Sequence, residues 1–334
     1  MRVRARSQTR ALLGLFTNSG GVLQAPPTRR NSRSDQALLA LAPVLLRLQG
    51  LCEKGALCPS PLAPDSMSKP MSDSFPHLLE SLQATSPGTH VVNIPDSWAQ
   101  GQTTYGGLTT ALALEATQRS LSDLPPLRTA QVSFIGAAGG TVQITPSLIR
   151  QGRSMTFAQT DLVAEKGLAT RAMFAFGHSR ESAFSEYHLP APNLPDPEDA
   201  GLYMRGPLAP TFTQHFDTKL AHGGLPVSGS EHSNHFIWAR FKQPTPNSVV
   251  SLLALADMPP PAIMPRFTTF KPISSLTWIV NLLDDQPEPF RDGWWLLQSR
   301  AEHATQGYSS QDMIIWGKDL QPVVAGRQSV AIYV

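Results

Sequence analysis

Three polar residues in the last third of this 334-residue chain have types and an order that could do chemistry together. Asp257 closes a short apolar helix, Ser275 stands on the first strand-like run after it, and Gln328 lies on the last such run. A carboxylate, a hydroxyl and a carboxamide that converge from a helix and two strands can hold one water by three hydrogen bonds, with the carboxylate as its base. Taken singly, each residue has a plainer reading. An Asp after a helix commonly forms a turn, a Ser in Ser274-Ser275 commonly sits on a strand surface, and Gln328 could simply face solvent. The weight lies in convergence, and that depends on the elements that carry them.

Two stretches organise those elements. Tyr105 to Ala116 reads as a loop turning into a helix that is apolar nearly all round, so it must be wrapped and not merely docked. Val249 to Asp257 repeats the pattern, and Leu112-Ala113-Leu114-Glu115-Ala116 falls in register with Leu253-Ala254-Leu255-Ala256-Asp257. Each helix is followed by strand-like runs, which indicates an internal duplication, each copy a central helix wrapped by a sheet. In the first copy the strands are expected at Leu127–Ile135, Thr141–Arg150, Met155–Val163 and Leu168–Phe176. In the second they are expected near Thr213–Leu220, Ser233–Lys242, Ser274–Leu283, Trp294–His303, Gly307–Trp316 and Pro322–Tyr333. Asn247 is the expected cap of the second helix, and Pro259-Pro260-Pro261 stops it. Overlaying the copies puts Val132 near Leu276, so Ala116, Gln131 and Met173 stand roughly where the second copy has Asp257, Ser275 and Gln328.

The remaining segments bound the function. Residues 1–70 carry a net charge of +7 and residues 71–334 one of −5, and a mildly acidic body argues against nucleic-acid binding. Both cysteines, Cys52 and Cys58, fall in the first segment, which leaves the body without a cysteine nucleophile or a zinc–thiolate site. That Arg-rich, Pro-punctuated segment is expected to be disordered. It reads either as a mitochondrial presequence or, preferably, as an extension ahead of a natural start at Met67 or Met71, which implies a cytoplasmic protein. No apolar run reaches membrane-spanning length. Proline-rich residues 181–210 are expected to link a first domain, 71–180, to a second, 211–334. His232 and His235 have a helical spacing on what reads as a strand, so no metal site is expected.

Several of these stretches together resemble a known family. Tyr105-Gly106-Gly107 with its small-residue helix, Val132-Ser133-Phe134-Ile135, Ile149 to Ser154 and Ala169-Thr170-Arg171-Ala172 are similar to the first half of the double hot-dog acyl-CoA thioesterases of the thioesterase II type. Leu252 to Asp257, Ser274 to Trp278, Trp295-Leu296-Leu297, Gly307-Tyr308 and Val323 to Gln328 resemble the second half, so the likeness runs from about residue 72 to the end. It implies an α+β architecture of two tandem hot-dog folds, each an antiparallel sheet around a central helix. It also implies hydrolysis of an acyl-CoA without a cofactor, with Asp257, Ser275 and Gln328 orienting a water for direct attack on the thioester carbonyl. One departure stands out: the family usually has an Asp-His pair shortly after the Ser/Thr, where this chain has Thr277-Trp278.

A thioester is already electrophilic, so a placed water, a base and oxyanion donors suffice. Tyr105, Gly106 and Gly107, together with Arg150 and Arg153, are the substrate-side candidates. The glycines have two readings: free N–H groups at a helix start that hold the oxyanion, or close packing against the other copy. Arg150 and Arg153, beside the Gln151-Gly152 turn, either meet coenzyme A phosphates or form a solvated hairpin. Two rivals compete with a hydrolase. A hot-dog hydratase or dehydratase needs a His near a central helix, and neither helix has one; a non-catalytic acyl-CoA-binding protein would keep the groove without turnover. Pairing into homo-oligomers through sheet edges is a further expectation.

Overall fold

The computed structural model describes residues 73–203 and 209–334. Expectations about residues 1–70 lie outside the described residues, but for the C-terminal body the organisation is plain. Helix α1 (Phe75–Glu80) is followed by β1 (Gln83–Ser86), β2 (Thr89–Ile94), β3 (Ala99–Gln100), β4 (Thr103–Thr104), α2 (Gly106–Ser120), β5 (Leu127–Phe134), β6 (Gly140–Gln151), β7 (Met155–Ala164) and β8 (Gly167–Gly177). Then come β9 (Gly201–Leu202), β10 (Phe216–His222), β11 (Asn234–Phe241), α3 (Val249–Ala256), β12 (Ile273–Leu282), β13 (Trp295–Thr305), β14 (Tyr308–Trp316) and β15 (Pro322–Ile332).

All strands but β3 and β4 form one antiparallel sheet of thirteen strands in the order β1-β2-β6-β7-β8-β5-β12-β15-β14-β13-β11-β10-β9. The seam between the copies is the β5–β12 pair, with Val132 opposite Trp278. On either side of it the order mirrors, β8-β7-β6-β2 against β15-β14-β13-β11, the signature of a duplicated unit closed on itself. One apolar core spans both copies, and α2 and α3 pack together inside it.

Helix α2 tolerates burial on all sides because its residues are small or apolar and its three buried threonines return their hydroxyls to the helix. Thr109 and Thr110 donate to the Gly106 carbonyl at 2.9 and 3.0 Å, and Thr117 to that of Ala113 at 2.7 Å. Helix α3 begins differently from expectation. Ser248 caps it in a reciprocal box with Ser251, while Asn247 turns its amide to the Pro287 carbonyl at 3.0 Å. A hydroxyl one residue later reaches the third N–H of the helix, which leaves Asn247 outside the turn. The described part of the proline-rich segment is largely irregular and exposed at first, but its later residues are tied down: Trp238 donates to the Pro195 carbonyl at 2.9 Å, and β9 pairs with β10.

Strand pairing gives the duplication a register that the sequence overlay lacked. A row of cross-strand neighbours runs Thr160, Ala172, Val132, Trp278, Gln328, Gln311 through β7, β8, β5, β12, β15 and β14. The strands it crosses correspond from either end, β7 with β14, β8 with β15 and β5 with β12, and all six residues are buried on the inner face. On the outer face the same symmetry carries Asp161–Arg171 onto Asp312–Arg327, each an ion pair with a 2.6 Å contact. The counterpart of Gln328 is therefore Ala172 and not Met173, and Val132 matches Trp278 and not Leu276. A β-bulge at Leu276, between Ser275 and Thr277, accounts for much of the offset.

Candidate active site

Asp257 is the C-cap of α3, placed where the start of α2 crosses the end of α3. That crossing is tight for identifiable reasons. A Cβ on Gly107 would lie 2.7 Å from the Ala254 carbonyl, and one on Gly106 would lie 2.7 Å from Asp257 Oδ2 and 2.9 Å from the Phe134 ring. Glycine at both positions is thus a condition of the crossing. Tyr105 fastens it by donating its hydroxyl to the Ala254 carbonyl at 2.7 Å, satisfying one of the acceptors that α3 leaves open at its end. The Tyr105 ring is fully buried and stacks on Phe212 at 4.1 Å between centroids. It is a clamp between the copies, with no face left for a substrate.

The carboxylate of Asp257 is approached by donors from two elements. Gln328 Nε2 on β15 donates to Oδ1 at 2.8 Å, and the Gly107 N–H at the start of α2 donates as well. Behind Gln328 stands Gln311 on β14, whose Nε2 donates to Gln328 Oε1 at 3.1 Å while its own Oε1 accepts the Ala262 N–H at 2.8 Å. The Ala262 N–H can only donate, so this contact fixes which way the Gln311 amide points. That orientation in turn presents Gln328 Nε2 to the aspartate. Gln311 was not singled out from the sequence; it lies on a strand whose first half, Ser309 to Asp312, is polar throughout, so nothing there marks it from its neighbours.

Asp257 keeps some solvent access as a residue, yet its carboxyl is desolvated enough that burial pushes its pKa up to about 7. The hydrogen bonds from Gln328 and Gly107 oppose that rise. The negative end of α3 disfavours the anion, and the positive end of α2 partly compensates.

Ser275 reaches the same wall through the bulge. Its partner across β12–β15 is Val330, which is buried on the inner face beside Gln328, so the bulge returns an odd-numbered Ser to the face of Trp278. It lies toward the Phe134 end of β5, the end that meets Gly106 and Asp257. Its hydroxyl is hydrogen-bonded to neither partner among the described residues. Of the Thr277-Trp278 departure, Thr277 is exposed on the outer face, and only Trp278 contributes to the inner wall.

The remaining candidates fall elsewhere. Arg150 and Arg153 are exposed at the β6–β7 hairpin, next to Met155, which pairs with Gly177. Phe134, by contrast, pairs with Thr170, and Thr170 with Leu162. The arginines therefore sit at the opposite end of the sheet from Asp257, about 20 Å away along the strands. Both glycines are required by the close crossing of α2 and α3, and the Gly107 N–H faces the Asp257 carboxylate.

The symmetry-related position in the first copy has a different character. Ala172 and Thr160 replace Gln328 and Gln311, Ala116 aligns with Asp257, and Thr117 bonds Thr160 at 2.6 Å. Those two hydroxyls satisfy each other, and Ala116 puts no carboxylate in the place of Asp257.

Profiles of known families identify the two copies directly. Residues 94–177 match the acyl-CoA thioesterase N-terminal domain, and residues 188–332 match the acyl-CoA thioesterase C-terminal domain. The chain belongs to the acyl-CoA thioesterase family. It is a thioester hydrolase built on two tandem hot-dog folds. Among solved structures it is similar to a hot-dog protein of unknown function from Alicyclobacillus acidocaldarius, at 23% identity and a TM-score of 0.70 over 77% of this chain and 97% of that one. It is also similar to acyl-CoA thioesterase II TesB2 of Mycobacterium marinum, at 15% identity and 0.60 over 76% and 96%. The tesB protein of Mycobacterium avium subsp. paratuberculosis gives 14% identity and 0.63 over 77% and 97%. At these identities the likeness speaks to the fold. No curated protein sequence matches the chain significantly. No helix among the described residues is long and apolar enough to cross a membrane.

Proposed function

We propose that this thioesterase hydrolyses a fatty acyl-CoA to the free acid and coenzyme A by direct attack of a water positioned by Asp257, Ser275 and Gln328. The observation that carries the reading is the 2.8 Å bond from Gln328 Nε2 to the Asp257 carboxylate, made at a carboxyl whose pKa burial raises to about 7. A carboxylate with that proton affinity is a far better general base than an ordinary one. Asp257 takes the proton of the water, the Ser275 hydroxyl fixes the direction of attack, and Gln328 holds the aspartate in place. Water oxygen bonds to the thioester carbonyl carbon, and collapse of the tetrahedral species breaks the carbon–sulfur bond. The departing thiolate then takes up the proton held by Asp257, which restores the carboxylate.

Thiol release from acyl-CoA substrates across a range of chain lengths tests the reading. The wild-type protein is expected to turn over one or more of them, and Asp257→Ala to lower the rate at least about a hundredfold without altering the circular dichroism spectrum. Full activity in the variant would remove Asp257 from the role of base.

A further inference from the structure

Two and three strands away from Gln328, the inner face of the second copy carries polar atoms that the hydrolytic reading does not use. His235 on β11 and Ser299 on β13 are direct cross-strand partners, and both are completely buried. Both ring nitrogens of His235 and the hydroxyl of Ser299 lack any hydrogen-bond partner. Their direction follows from the strands. Ile237, Ala239 and Leu297, which alternate with them, belong to the core around α2 and α3, whereas Trp238 and Leu296 belong to the separate cluster on the outer face.

Orphaned polar atoms inside a core are costly, and a core of this composition could have used Leu or Val in both places. Surroundings do not supply the missing partner. Gly223, at φ +100°, passes so close that a Cβ there would stand 2.8 Å from the His235 Cβ, which closes that side with backbone. On the other side Ser299 pairs with Met313, two residues from Gln311, so the pair adjoins the chain of amides that ends at Asp257.

We infer that His235 and Ser299 form a subsite for a neutral oxygen, a hydroxyl or a ketone, carried on the acyl chain of the substrate; the inference rests on the thioesterase reading above. The spacing suits this. Two strand separations put Ser299 about 10 Å from Gln328 and three put His235 about 14 Å from it, well along an acyl chain whose thioester lies at Asp257. Chemistry narrows the class. Burial lowers the His235 pKa to about 4, so near neutrality the ring is uncharged and offers one donor and one acceptor, and the Ser299 hydroxyl can do either. A hydroxyl or ketone matches that set. A chain-terminal carboxylate does not, because an uncharged ring leaves a buried anion uncompensated.

The test compares CoA thioesters of dodecanoic acid and of hydroxydodecanoic acids with the hydroxyl at successive carbons, using the full chain. At least one hydroxy isomer is expected to exceed the plain chain in kcat/KM by about tenfold or more. His235→Leu should abolish that preference while still hydrolysing dodecanoyl-CoA, and it should raise the melting temperature, because it replaces an orphaned polar ring with an apolar group. A purely structural histidine would show the opposite, a lower melting temperature and equal losses on both substrates, and that result overturns the inference. Should His235→Leu fail to fold, Ser299→Ala carries the same comparison with a smaller perturbation. No favoured isomer, or a preference that survives substitution, would assign these atoms to buried water and end the proposal. A protein that hydrolyses no acyl-CoA at all would instead bring down the thioesterase reading itself.

Discussion

Asp257→Asn separates the electrostatic cost of the candidate base from everything else the residue does. An aspartate whose pKa is pushed from 3.8 to about 7 keeps a proton in the folded state that the unfolded chain has already released. Between those values the folded state binds more protons, so stability falls as pH rises; below about 4 both states are protonated, and above about 7 both are ionised. The span corresponds to roughly 4 kcal/mol at 1.36 kcal/mol per unit. Asn keeps an oxygen to accept the 2.8 Å bond from Gln328 but cannot ionise. Its stability relative to wild type should therefore improve by roughly 4 kcal/mol between pH 4 and pH 8, on the order of 10 °C in melting temperature for a body of this size. Chemical denaturation of both proteins at a series of pH values reads the difference directly, because other titrating groups cancel. A variant that tracks wild type at constant offset across that range would refute the claim that the fold strains this carboxyl toward its neutral form.

Other expectations follow from the same contacts. The kcat/KM profile of the wild type should rise through pH 7 as Asp257 ionises, and Gln328→Leu, which removes a donor that lowers that pKa, should move the rise to higher pH while reducing the plateau. Gln311→Leu touches neither substrate nor carboxylate, yet it frees the Gln328 amide to turn over and strands the Ala262 N–H. It should shift the profile in the same direction and lower kcat about tenfold, whereas a merely structural role would lower stability and leave the profile where it was. Gly106→Ala would drive a methyl into Asp257 Oδ2 and the Phe134 ring. A loss of about 1–3 kcal/mol in denaturation, accompanied by loss of activity, is expected.

Much of this arrangement was legible in the residues before any coordinates. The two small-residue helices announce themselves because a helix apolar on every side has to be enclosed, and the alternation of Leu162 to Phe176 needs a sheet with one buried face. Asp257 and Gln328 could be paired because each stands at the end or the middle of an element whose type was clear. What escaped was register. A bulge leaves no mark in composition, so Leu276 shifted the overlay, and the true counterpart of Gln328, Ala172, was missed by one residue. Gln311 escaped for a related reason. One polar residue in the run Ser309 to Asp312 gives no hint of whether it faces solvent or a partner amide until the pairing with Gln328 is known. Tyr105 was legible as part of the site's motif, but only the crossing of α2 over α3 turns its hydroxyl into a clamp on Ala254. Arg150 and Arg153 read in sequence either as contacts for coenzyme A phosphates or as a solvated hairpin; strand pairing puts them at the far end of the sheet from Asp257.

Direct attack by water is the step on which the mechanism turns, and a single turnover in ¹⁸O-labelled water resolves it. With enzyme in excess over acyl-CoA, the acid released in the first turnover should carry one ¹⁸O, and the peptide containing Asp257 should carry none. Unlabelled acid in that turnover, with ¹⁸O appearing afterwards in Asp257, would mean that the carboxylate attacks the thioester itself and would contradict its role as a base.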